Sequence, residues 1–77
     1  MIFLIEYDRA KGQIVNLKTF DERDRVTAEN TRLELELELN RLGKEREVVL
    51  LEASSEQALR RTHRRYFEDL SELVKAS

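Results

Sequence analysis

Between Leu33 and Leu39 leucine and glutamate alternate without a break, inside a longer stretch, Thr31 to Gly43, that also carries Arg32, Asn40, Arg41 and Leu42. The chain has a different architecture according to how this run folds. As a strand it would put Leu33, Leu35, Leu37 and Leu39 on one face and Glu34, Glu36 and Glu38 on the other. As a helix, turning about 100° per residue, it gathers Val26, Leu33 and Leu37 on one side, with Ala28, Leu35, Leu39 and Leu42 roughly opposite. Leucine, glutamate and arginine are strong helix formers, and β-branched and aromatic residues are missing from Leu33 to Leu42, so the stretch is expected to be a helix with two apolar stripes. Its ends agree: Thr19-x-x-Glu22 or Asp21-x-x-Asp24 can cap the start, and Gly43 suits the residue just past the end.

The segments around this helix, about 21–42, fall into place by pattern. Ile2 to Tyr7 is rich in β formers on both alternating faces, as expected of a central strand covered on both sides, about 2–8. Asp8-Arg9-Ala10-Lys11-Gly12 has the chemistry of a hairpin loop. The next strand, about 13–20, would show Val15, Leu17 and Thr19 on one face. Ile14, Asn16, Lys18 and Phe20 would be on the other, which reads as a partly wet edge. A third strand, about 46–53, has the wholly apolar middle Val48-Val49-Leu50-Leu51. Ser54 or Ser55 then caps a last helix, about 55–75, with Ser54-x-x-Gln57 as a capping box. Its stripe is Leu59, Tyr66, Leu70 and Leu73, flanked by Phe67 and Val74.

The order is therefore β-β-α-β-α, an α+β chain of one domain. A helix between the second and third strands lets the first lie between them, giving a three-stranded antiparallel sheet in the order 2-1-3. This resembles the split β-α-β of ferredoxin-like folds, as a likeness of architecture alone.

A chain of 77 residues buries only about 60% of the surface it exposes when unfolded, so its own core is small. Charged residues are 39% of the total against a usual value of about 25%, which calls for either an extensive surface laced with ion pairs or unusually economical burial. The formal charge of −2 gives no general attraction to nucleic acid or to an anionic membrane, though a local basic patch is compatible with it. Cysteine is absent, which removes disulfides, thiolate catalysis and cysteine zinc sites, and fits the cytoplasm. The apolar run Met1 to Ile5 stops at Glu6 and has no basic lead, so neither a signal peptide nor a membrane span is expected.

No catalytic, cofactor or metal signature rises above background, and no cofactor is expected. If the two helices take one side of the sheet each, one leucine stripe stays uncovered; if they share a side, a sheet face does. Leftover apolar surface of this kind marks an interface. The expected role is a protein–protein interaction module, a homodimer or a subunit of a larger assembly, meeting its partner through Leu35, Leu39 and Leu42 or through the open sheet face.

Two chemical alternatives compete with it. Arg60, Arg61, Arg64 and Arg65 form a helix face suited to phosphates, as in nucleic acid or another anion. The same face is also explained by i,i+4 pairs, Glu56–Arg60, Arg64–Glu68 and Arg65–Asp69, and Glu56 to Lys75 holds five basic side chains against four acidic. His63, the sole histidine, would serve a small enzyme or a metal site only with an orienting carboxylate, for which Glu6 and Glu52 are the candidates. Ser54 and Ser55 are explained by capping rather than phosphate binding. On a helix Glu36 projects away from Glu34 and Glu38, which leaves only those two adjacent and solvated, and Tyr7 and Tyr66 suit the rim of a core.

Overall fold

A computed structural model describes residues 1–67. Strand β1 is Ile2–Asp8, β2 is Gln13–Phe20 and β3 is Glu47–Glu52; helix α1 is Arg25–Arg41 and α2 is Glu56–Thr62. The sheet is antiparallel throughout, in the order β2-β1-β3, so the split β-α-β expected from the connections is present. Short 3-10 turns precede α1 at Glu22–Asp24 and follow α2 at Arg64–Tyr66.

The turns follow from local chemistry. In the β1–β2 hairpin the Asp8 carboxylate accepts from the backbone N–H of Ala10 at 3.0 Å and of Lys11 at 3.1 Å, and Gly12 closes the loop at φ 65° with its N–H on the Asp8 carbonyl. Gly43, at φ 70°, ends α1: its N–H bonds the Asn40 carbonyl, and the Lys44 N–H reaches back to Leu39. That paired return is the Schellman arrangement, which satisfies carbonyls the helix leaves open. At the other end Asp21 caps the 3-10 turn that feeds α1, accepting from the Arg23 N–H, while Thr19 stays in β2. Before α2 it is Ser55 that caps, through the Ala58 N–H at 3.1 Å, so the capping box expected from Ser54 and Gln57 does not form.

The helices lie on opposite faces of the sheet. Phe3 and Ile5 of β1 form one core with Leu59 and Tyr66, edged by Tyr7, Ile14, Leu17, Val49 and Leu51. Ile2 and Leu4 point the other way and are buried beneath α1, which packs across β1 and β3 with Ala28 and Leu39 inward. Alanine at position 28 lets the helix backbone approach the sheet closely.

Two local features depart from expectation. The β1–β2 register slips between Glu6 and Tyr7, pairing Glu6 with Asn16 and Tyr7 with Ile14. Val15 is the extra residue of a β-bulge and is left exposed, and Ile14 turns to the covered face in its place. Helix α2 stops at Thr62. Continued, it would set Arg60 against Arg64 and Arg61 against Arg65 at i,i+4, two like-charge pairs; the break separates them. The Thr62 hydroxyl meanwhile bonds back to the carbonyls of Ala58 and Leu59, which loosens a helix end. Leu70, Leu73 and Val74, expected to continue the stripe, lie outside the described residues, as do Glu68 and Asp69.

A candidate interaction surface

Rotation of α1 about its axis decides which leucine stripe is spare. The inward stripe is Ala28, Leu35 and Leu39: Ala28 is fully buried, Leu39 is 6% exposed and Leu35 is half-buried. Of the residues assigned from sequence to a contact, then, Leu39 already belongs to the core and only Leu42, at 52%, stands in solvent. The stripe left outside is the opposite one, Val26, Leu33 and Leu37, exposed by 70%, 52% and 60%. Large apolar side chains turned outward along one helix face are what an interface presents.

Five charged residues of α1, Arg25, Arg32, Glu36, Glu38 and Arg41, are held in ion pairs. Arg32 pairs with Glu36 at 3.2 Å and Arg41 with Glu38 at 2.7 Å, both along the helix, and Arg25 bonds Glu52 at the end of β3. Glu34, Glu36 and Glu38 do not converge, and among the described residues no group of acidic or histidine side chains is arranged to hold a metal ion. A cleft of about 770 Å3 opens where the second half of α1 meets the start of β3, walled by Leu33, Leu37, Leu39 and Val48 and edged by Lys44 and Arg46. Arg46 reaches Glu6, a carboxylate almost wholly buried on the face that α1 covers.

On the other face Glu47 organises the end of the chain described. Its Oε1 accepts from Arg65 at 2.9 Å and from the Tyr66 hydroxyl at 3.1 Å, and Arg9 stands 3.7 Å away. Tyr66 packs edge-on against Tyr7 with ring centroids 5.2 Å apart, and the Arg65 guanidinium lies 4.3 Å above the Tyr66 ring. Burial raises the Tyr66 pKa above its ordinary value, reinforced by its bond to Glu47, while Arg65 opposes the shift. The bond to Tyr66 also raises the Arg65 pKa, as the bond to Glu52 raises that of Arg25. Glu47 Oε2 is buried without a hydrogen-bond partner among the described residues.

The arginine cluster is thereby divided. Arg65 is committed to Glu47 and Tyr66, while Arg60 pairs with Glu56 at 3.2 Å and lies over the Phe67 ring at 4.7 Å. Arg60, Arg61 and Arg64 still share a shallow depression with Gln57, but Arg65 has left the row. His63 caps α2, donating its backbone N–H to the Leu59 carbonyl at 2.9 Å. Glu6 and Glu52, its candidate orienting carboxylates, lie on the opposite face of the sheet and are engaged by Arg46 and Arg25.

Sequence pattern located both α1 stripes but not the Glu47 cluster. Glu47 was legible only as the start of a strand, since Arg9, Arg65 and Tyr66 come to it from distant parts of the chain. Among the described residues no helix is long and apolar enough to cross a membrane. Comparison with known protein families, with curated proteins and with solved structures found no match.

Proposed function

We propose that this chain is a protein–protein interaction module of the cytoplasm, without catalysis of its own, that works as a homodimer or as a subunit of a larger assembly. The observation that carries this is the division of labour on α1. One leucine stripe already holds the sheet, so Val26, Leu33 and Leu37 are surplus to the fold of the monomer. An apolar stripe kept in solvent for no internal purpose is a cost in solubility that a partner removes.

Sedimentation at micromolar concentration tests it. The expected result is a mass above that of one chain for the natural sequence, and a single-chain mass for Leu33→Lys with Leu37→Lys. The double variant keeps its far-ultraviolet circular dichroism, because neither side chain is part of the core. A natural chain that sediments as a monomer at every concentration overturns the homodimer.

A further inference from the structure

Arginine in this chain is almost always matched. Eight of the ten arginines pair with a carboxylate, and Arg64 is engaged as well. Among the described residues Arg61 is the one arginine whose guanidinium has no hydrogen bond, ion pair or ring contact. It stands exposed in the depression of about 380 Å3 that it lines with Gln57, Arg60 and Arg64. Residues three and four apart share a helix face, which sets Gln57 beside Arg60 and Arg61, and the 3-10 turn after α2 brings Arg64 to the same place.

The walls of this depression are made of donors. Because Ser55 caps α2, the Gln57 carboxamide has no capping role, and its side chain makes no hydrogen bond among the described residues. Arg60 is positioned from two sides, by Glu56 at 3.2 Å and by the Phe67 ring at 4.7 Å, and its bond to Glu56 runs through Nη2 alone. A guanidinium has five N–H donors, so this one is oriented before any ligand arrives while keeping donors to offer. Among the described residues no carboxylate lines the depression. Like charges gathered at one place repel, and an anion set between them replaces that repulsion with charge-assisted hydrogen bonds.

We infer that this depression binds a phosphate monoester, gripped by the planar fork of Arg61 and flanked by Arg60, Arg64 and the Gln57 amide. Arginine forks match phosphate oxygens two at a time, and a monoester carries close to two charges at neutral pH. The extent of the row favours a terminal phosphate over a nucleic-acid backbone, which is followed by a longer track of basic side chains. Here the row does not continue to Arg65, which is bound to Glu47 and Tyr66. The site lies on α2, across the sheet from the Val26, Leu33 and Leu37 stripe, and does not depend on self-association.

Titrating the full chain at low salt with a hexose phosphate and with a short phosphoserine peptide, followed by amide chemical shifts, tests this. Saturable shifts centred on residues 57–64 are expected, with none for the unphosphorylated peptide. Arg61→Ala should weaken binding about tenfold or more, and Arg61→Lys should weaken it less. Arg23→Ala, which removes an equal charge far from the depression, should leave binding unchanged. Tighter binding of the peptide assigns the phosphate to a modified side chain, and equal or tighter binding of the hexose phosphate assigns it to a small ester. Three results overturn the site: no saturable shift at residues 57–64, an equal loss in Arg23→Ala and Arg61→Ala, or binding of a single-stranded oligonucleotide but of neither monoester. Should Arg61→Ala fail to fold, the shift map of the natural chain decides, since shifts centred elsewhere refute the assignment.

Discussion

Arg46, just ahead of β3, bonds Glu6 on the central strand and neutralises a carboxylate that the fold holds almost entirely out of solvent. Removing one member of such a pair leaves the other charged and buried, whereas replacing both with apolar groups of similar size removes the problem. Arg46→Ala should therefore cost about 3–5 kcal/mol, and Glu6→Met with Arg46→Met should recover most of that loss. Urea unfolding of the three proteins checks the order, with the double variant lying closer to the natural chain than Arg46→Ala does.

The two stripes of α1 make a matched experiment, since leucine lies on both. Leu39→Ala empties a packed site and should cost about 2–5 kcal/mol. Leu37→Ala, on the exposed side, should change the stability of the monomer by less than about 0.5 kcal/mol. Measured at a concentration where the chain is monomeric, equal losses at both positions would contradict the observed rotation of the helix.

Tyr66 ties stability to alkaline pH. Its pKa in the folded chain is raised above the ordinary 10.0, so the folded state holds the phenolic proton more tightly than the unfolded state does. The corresponding stability is complete below about pH 10 and is lost as pH rises from there through the folded pKa. Tyr66→Phe lacks this proton. The natural chain should therefore lose stability above pH 10 relative to Tyr66→Phe in parallel chemical denaturation series.

Gly43 occupies a backbone region that other residues adopt with strain, and a Cβ there would meet nothing within 4 Å. Gly43→Ala should accordingly destabilise by about 1–2 kcal/mol through backbone conformation alone. Gly43→Asn, which tolerates the same region better, should lose less in thermal melts.

The long helix, its glycine end and the strand order were legible because each rests on short-range chemistry or on connection rules. Leu33 to Leu42 lacks β formers, Gly43 follows the last turn, and a helix between the outer strands leaves the first strand to the centre. The stripe that turns inward was not legible from leucine counts, because the two sides are nearly equal in apolar content. Alanine at position 28 was the available clue, since the side that approaches a sheet closely favours a small residue. The bulge at Val15 had no local signal: Ile14 and Val15 are both β-branched, and only the fit against Tyr7 and the core decides between them. The end of α2 was legible in principle from Arg60, Arg61, Arg64 and Arg65, whose spacing penalises a continuous helix.

The tight loop anchored by Asp8 has a kinetic consequence. Joining β1 to β2 closes only a few residues, whereas joining β1 to β3 must bring Glu6 to Val48 across the whole of α1, at a larger cost in chain entropy. The hairpin is therefore expected to form early and β3 to dock late. Asp8→Ala should slow folding while scarcely changing the unfolding rate, and a weakened β3 should speed unfolding instead. Until β3 arrives, one flank of β1 stands bare, so a slow-folding variant is one that lingers with its most apolar strand open to other chains.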